Sequence, residues 1–396
     1  MHTVKRGHLP LVDKLGIISL LSTVGLAAIA TIWAVYLDSF LHNASYVGFV
    51  SAFFIIIGSI SYIFLIPIIE KKNKIKLYIN VLFLFGISYL VFGFISNLYA
   101  VIILGIIISI LASLGITCLG LIVRDKTRDS SVSKNEGIIF TSRNIAWFLG
   151  PIIAGFIANR YGIPKVFFFA GITMFVSLIF FKLMKISDNK VKKRIDKDSV
   201  KVFRDFFKKK ERVLSYITSG GISFWWALIY TYIPIYILNN GLGKEVIGYF
   251  LAAVTIPLIL TEYSFGKLAG KIGFRKMFVT GYLIIGFFTI LAFFFSNIYV
   301  ILALLVIASF GAGMLEPTTE AYFFDIIKKE QREKFYGPYN TTINVNSFLG
   351  RVIAAIFLLF LPFRFIFILF GISMFLFAIV SSKSKEIIEG RKIRHS

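Results

Sequence analysis

Cut at its charged and Gly/Asn/Pro-rich breaks, the chain separates into twelve long apolar segments joined by short polar ones. Their approximate spans are 15–37, 49–69, 77–95, 98–122, 137–158, 165–184, 213–238, 248–268, 276–295, 298–322, 339–361 and 364–382. Crossing a hydrocarbon core takes roughly 20 residues, so each segment is long enough or nearly so. Lipid offers no partner for a free N–H or C=O, which leaves helix as the conformation for such runs. The pattern therefore predicts an all-α integral membrane protein of twelve transmembrane helices. The first run exceeds the roughly 7–15 residue core of a secretory signal and lacks a convincing cleavage site. It reads as a retained first helix.

The pattern is also written twice. Ser96-Asn97-Leu98-Tyr99 recurs as Ser296-Asn297-Ile298-Tyr299, and Phe148-Leu149-Gly150 as Phe348-Leu349-Gly350. Gly48 answers Gly248 and Gly137 answers Gly337, always at an offset of 200. Chance does not hold one register across four separated places. The expected organisation is a six-helix bundle over 1–184, a linker over 185–212, and a second, pseudo-symmetric bundle over 213–396. Duplicated apolar chains are how many secondary transporters are built, with the substrate site where the repeats meet.

Composition agrees with a membrane solvent: 57% of residues are hydrophobic, 16% are charged and the mean hydropathy is +0.83. A soluble domain carries about a quarter charged residues. The net charge of +23 would suggest nucleic acid, but its distribution points elsewhere. With the N-terminus placed in the cytoplasm, 37 Lys and Arg fall in the tails and alternate loops on that side. Only Arg160, Lys165, Lys244 and Arg364 fall on the other. That bias orients both termini to the cytoplasm of a plasma membrane. The linker holds 13 of these cations when Lys182 is included. Val200, Phe203 and Phe207 recur in it at helical spacing, which fits either a helix on the anionic inner leaflet or a solvated tether. The single cysteine, Cys118, excludes an intrachain disulfide and reads as a buried inert thiol. Asn43-Ala44-Ser45 matches a glycosylation acceptor, a pattern common by chance.

The loop after the eighth segment, Gly266-Lys267-Leu268-Ala269-Gly270-Lys271-Ile272-Gly273-Phe274-Arg275-Lys276, resembles the cytoplasmic signature of the major facilitator superfamily of secondary transporters, Gly-x-Leu-Ala-Asp-Arg-x-Gly-x-Arg-Lys. A decayed copy, Ile66 to Lys76, stands at the equivalent place in the first half and includes Glu70 and Lys71. In the family this loop helps latch the two halves in one orientation. Carried over by position, the acid is Glu70 in the first copy and is replaced by Gly270 in the second, so the expected latch is Glu70. Gly266, Lys271, Gly273 and Arg275 are the matching loop positions. Gly150-Pro151-Ile152-Ile153-Ala154-Gly155 is similar to the Gly-Pro-x-x-Gly-Gly element of members that exchange drugs for protons. Small residues there permit close helix approach, and the proline permits a bend. The family's Arg-x-x-Gln-Gly run in the fourth helix is absent.

Charges within membrane helices cost at least roughly 2.5–3.5 kcal/mol on insertion scales and mark functional positions. The candidates are Glu262, Glu316, Glu320, Arg143 and Arg351, all on helices that line the central cavity in the family. Counted from the inner helix ends at 1.5 Å per residue, Glu316 and Arg351 lie at about 16 and 19 Å, depths that allow an ion pair. Around them Asn340, Asn344, Ser347 and Arg351 form one stripe, and Ser219, Ser223, Trp226 and Tyr230 another. Such stripes line a wet cavity or glue two helices together. The cavity reading is favoured here, because a charge ends one stripe and aromatics the other. Burial favours the neutral form of a carboxyl and a neighbouring arginine the charged form. Changing access or partner would therefore load and release a proton.

These observations converge on a secondary carrier working as a monomer in the lipid bilayer. It would move a small-molecule substrate by alternating access with protons as coupling ion and without a cofactor. Aromatic richness, the Gly-Pro element and the buried carboxylates favour export of amphipathic compounds. Proton-coupled uptake of a polar metabolite (a sugar, amino acid or organic acid) and a non-transporting sensor on the same fold are the alternatives. The four histidines lie in tails or an outer loop and no nucleotide or metal motif is present, which argues against an enzyme and against ATP drive.

Overall fold

The structure is a computed structural model that describes residues 11–126, 132–184 and 199–388. Twelve long helical segments run through them, with one short helix in the linker. They are α1 (Leu11–Leu41), α2 (Ala44–Lys71), α3 (Lys74–Phe92), α4 (Leu98–Lys126), α5 (Val132–Tyr161) and α6 (Ile163–Leu183), then the short α7 (Ser199–Phe207). The seventh span is α8 (Lys210–Ala227), which runs through a π turn at Leu228–Tyr232 into α9 (Ile233–Asn239). The others are α10 (Lys244–Ile272), α11 (Phe274–Phe293), α12 (Ile298–Ile326), α13 (Arg332–Phe360) and α14 (Ile366–Ser381). Among the described residues, eleven spans are long and apolar enough to cross a membrane. The helix outside that set is α5, whose sequence brings Lys134, Glu136 and Arg143 into its first half. Most helices outrun their apolar segments because polar residues at the ends still continue the helix where water can reach them.

The repeated tetrapeptide is a helix start. Asn97 Oδ1 accepts the N–H of Ala100 at 2.9 Å and Asn297 Oδ1 that of Tyr299 at 2.9 Å. Each asparagine side chain thus satisfies an N–H that the first turn leaves without a partner. Tyr99 and Tyr299 follow the caps and are both exposed, as interfacial aromatics are. Asn43 of the acceptor-like triplet does the same for α2, accepting from the N–H groups of Ser45 and Tyr46.

Contacts group the chain into two compact units, Met1–Ile32 with Ile57–Arg194, and Trp33–Ile56 with Ile195–Ser396. The grouping departs from the expected division at 33–56, because that stretch packs on α13 and on the π turn before α9. Ser45 Oγ donates to Ala355 O at 2.6 Å, and Gly48 leaves room for the Tyr232 hydroxyl, which a Cβ would overlap. Within the first unit, Gly150 of α5 lies against α1, where an added Cβ would meet Ala27 Cβ at 2.6 Å. Within the second, Gly350 of α13 lies against α8, where it would meet Phe224 O at 2.8 Å. The pairing of α3 with α6 through Gly86 and Gly171 has its counterpart in α11 and α14 through Gly286 and Gly371. The repeat thus preserves points of closest helix approach, where dispersion and small residues bring helices together in lipid.

The described part of the linker packs on the second unit. Phe206 of α7 is fully buried in a cluster with Phe323, Ile327, Phe335 and Tyr339. Asp205 bridges Lys208 and Lys334 at 3.1 Å each, and these ammonium groups hold its carboxyl below the usual carboxylate range. Arg212 donates to the carbonyls of Phe206 and Asp205, closing the C-terminus of α7. This corrects the expected apolar face: Phe206 is the anchor, Phe207 is 44% exposed, and the side chain of Val200 lies outside the described residues.

Candidate functional site

The second unit holds a carboxylate set among aromatic rings. Glu316 stands on α12 immediately before Pro317. Its Oε1 accepts the indole N–H of Trp226 at 2.7 Å. Trp226 in turn packs on Trp225 and Tyr230, with ring centroids at 5.1 and 5.6 Å. Trp225 is held by its own N–H, which donates to Thr289 Oγ1 of α11 at 3.2 Å.

Just past the two tryptophans the seventh span changes its winding. Pro234 has no N–H to give, and the N–H of Ile233 reaches back five residues to Leu228 O. The π turn this creates rotates the remainder of the span, a feature frequent at functional positions. Tyr232, inside the turn, donates its hydroxyl to Arg351 O at 2.6 Å. That bond ties the turn to α13.

Two expectations are corrected here. Among the described residues no ion pair joins Glu316 to Arg351: the carboxylate takes the indole, and Arg351 Nη1 donates to Ser347 O at 3.1 Å. Equal depth along two helices does not specify facing direction, and the direction decides the pairing. Part of the two polar stripes, in turn, is glue between α8 and α13. Ser347 Oγ reaches Ser223 O at 3.4 Å, Tyr339 Oη donates to Ser219 Oγ at 2.9 Å, and Thr342 Oγ1 donates to Tyr216 O at 2.7 Å. Asn344 is exposed, while Asn346, outside the stripe, is buried against Gly220. Stripe periodicity is the same for a cavity wall and a bonded seam, so spacing does not separate them.

The remaining charges are dispersed. Glu320 is exposed and accepts the Tyr336 hydroxyl at 2.8 Å. Glu262 is half-buried on α10, next to Thr261, which packs on Gly313 of α12. In the first unit Arg143 is half-buried and its Nε donates to Ser19 Oγ of α1 at 3.2 Å. Pro151 is buried within α5 beside the close-packed Gly150. Two of the expected loop positions lie instead within the last turns of α10, Gly266 with open space around it and Lys271 exposed. Gly273 adopts φ +98° between α10 and α11, and Arg275 Nε lies 2.8 Å from Glu386 Oε2. The side chains of Glu70 and Lys71 lie outside the described residues. Sequence reasoning missed Tyr232, Ser19, Asp205 and Glu386. Asp205 carried a signal, as the acid in a basic linker. The others had none, since their partners are distant in the chain.

Helices long and apolar enough to cross a membrane, with ionisable groups set within them, define a multi-pass membrane protein. The chain belongs to the Major Facilitator Superfamily, whose family model matches residues 15–261 and 216–386. An uncharacterized MFS-type transporter of Methanocaldococcus jannaschii is 26% identical over 333 residues, spanning 83% of this chain and 86% of the relative. The quinolone resistance protein NorA of Staphylococcus aureus is 27% identical over 126 residues, 31% of this chain and 32% of that protein. Among solved structures, a POT family transporter in complex with 5-aminolevulinic acid superposes with a TM-score of 0.80 at 13% identity, covering 95% of this chain and 96% of its own. A bacterial homolog of the human lysosomal transporter Spinster gives 0.72 at 13% identity over 88% and 83%. Such structural likenesses establish the shared fold.

Proposed function

We propose that the chain is a proton-coupled carrier that exports amphipathic organic solutes from the cytoplasm by alternating access, with Glu316 as its proton-exchanging group. The observation that carries the reading is the Glu316–Trp226 bond inside an aromatic wall. A carboxyl that alternates between such a wall and water changes its proton occupancy. In the charged form it is a strong acceptor for the indole N–H. When protonated it can turn to another acceptor, so solute and proton compete for one group. Trp226 and Tyr230 offer faces to the apolar part of a solute, and the partial likeness to a quinolone resistance protein supports export of such compounds. Arg143 holds the seam of α5 with α1, Arg351 is a second charge within the solute path, Gly150 and Pro151 form the hinge of α5, and Glu70 with Lys71 supplies the first-half latch. The protein works as a monomer in the plasma membrane, with residues 1–184 and 213–396 as its halves and both termini in the cytoplasm.

Reconstitution in proteoliposomes with an imposed pH gradient and a panel of aromatic and aliphatic solutes tests this. Wild type is expected to show solute-dependent proton flux, and Glu316→Gln to lose at least about tenfold of it, the equivalent of one discarded charge-assisted interaction. Undiminished coupled flux in Glu316→Gln would remove Glu316 from the mechanism.

A further inference from the structure

The second copy of the loop motif has no acid of its own: Gly270 stands where one is expected, and Lys267, Lys271, Arg275 and Lys276 leave the stretch purely basic. The structure brings an acid to it from more than a hundred residues away. Gly273 separates α10 from α11 at φ +98°, and a side chain there would overlap Glu386 Oε1. The other oxygen, Oε2, lies 2.8 Å from Arg275 Nε. Both carboxylate oxygens are shielded from solvent and accept no hydrogen bond, so among the described residues the charge of Arg275 is what balances this carboxylate.

The neighbours of Glu386 fix the same segment. The N–H of Lys385 donates to Tyr322 Oη of α12 at 2.9 Å. The N–H of Phe274, the first residue of α11, donates to Ile387 O at 3.4 Å. Ser384 and Ile387 are buried. Residues 384–387 therefore cross the inner ends of α10, α11 and α12 as a strap.

We propose that Glu386 is a positioning residue for transport: it supplies, from the segment after α14, the acid missing from the α10–α11 loop. The consequence depends on which helices the strap joins. Glu262 is on α10, and Glu316 and Glu320 are on α12. Holding the ends of these helices together sets how their carboxyls stand relative to one another through the cycle. Neutralising Glu386 leaves Arg275 without a counter-charge beside a junction that Gly273, at φ +98°, already makes permissive. The loop then loosens from Tyr322 and Ile387, and α10 loses its register on α12.

The transport consequence rests on the carrier reading above; the anchoring does not, and two readouts separate them. The full-length protein, wild type and Glu386→Gln, is compared by amide hydrogen exchange over residues 266–276 and by reconstituted flux. Gln matches Glu in size, so folding is retained, and Glu386→Asp serves as the conservative rescue. The expected result is exchange at least about tenfold faster in Glu386→Gln, confined to the loop and the strap. A several-fold lower maximal flux at unchanged half-saturation should accompany it, with both restored toward wild type in Glu386→Asp. Unchanged exchange in Glu386→Gln overturns the anchoring, and a loosened loop with normal flux overturns the transport role. A wild-type chain that moves no solute sinks the carrier reading alone, and the exchange comparison still decides the anchoring.

Discussion

Glu316 and Trp226 show how much one hydrogen bond can specify. Trp226→Phe keeps an aromatic ring against Tyr230 and removes the N–H, a donor worth about 1.5–3 kcal/mol to a charged acceptor. The expected outcome is a loss of coupled flux of roughly tenfold or more, with the aromatic packing intact by near-ultraviolet circular dichroism. A variant that couples like wild type would show that the indole is packing alone. Gly350 makes a different kind of demand. A methyl there meets Phe224 O and Ala227 Cβ at 2.8 and 2.9 Å, and backbone cannot step aside. Gly350→Ala is therefore expected to cost about 1–3 kcal/mol in overpacking, seen as a lower thermal midpoint in detergent. At Gly337 nothing lies within 4 Å. Gly337→Ala should leave the midpoint unchanged or raise it, since glycine inside a helix costs about 0.5–1 kcal/mol against alanine.

At the scale of elements, α7 is a short helix that docks rather than floats. Its anchor is Phe206 in the cluster with Phe323 and Phe335, and Arg212 and Asp205 close its end. Phe206→Ala should remove about 3–5 kcal/mol of core packing at this end, read as faster proteolysis at the linker with the membrane spans still protected. The ion pairs at Asp205 set a pH dependence with a definite sign. Its folded carboxyl is held below the ordinary value by Lys208 and Lys334, so its contribution is fully present above about pH 4 and is lost as pH falls through the folded value. The difference in thermal midpoint between wild type and Asp205→Asn should be constant from about pH 5 to pH 8 and shrink below about pH 4. A difference that instead disappears toward alkaline pH would assign the effect to another group. The π turn is the other element with a local cause, Pro234. Its consequence, the bond from Tyr232 to Arg351 O, depends on a helix more than a hundred residues away.

For the molecule as a whole, the charge asymmetry makes a topological statement that chemistry can read. Cys118 is buried, so it is a silent background for introduced cysteines. Lys383→Cys should react with a membrane-impermeant maleimide only when the reagent reaches the cytoplasmic face, and Asn240→Cys only from the opposite face. Labelling of both from one side would abolish this topology, and each reacting only from the other's expected face would invert it. Much of this scale was legible beforehand. The helix content, the spans and the superfamily followed from apolar length, the loop motif and the 200-residue repeat. The repeat singled out Asn97 with Asn297 and Gly150 with Gly350 as paired positions, and only the folded chain showed the first pair to be caps and the second to be contact points.

What the sequence determined by itself is what depends on neighbours along the chain or on a uniform solvent. Helix and span length belong here, because lipid and water act on every segment by the same rule. What only the tertiary structure decided is partnership. Arg351 turned to Ser347 instead of Glu316, Ser223 and Ser347 became a seam instead of a cavity wall, and Glu386 reached the loop that Gly270 left without an acid. Each is a matter of which way a side chain faces when segments meet. A hydrogen bond or ion pair a few ångströms long leaves no trace in the spacing of residues that are a hundred positions apart.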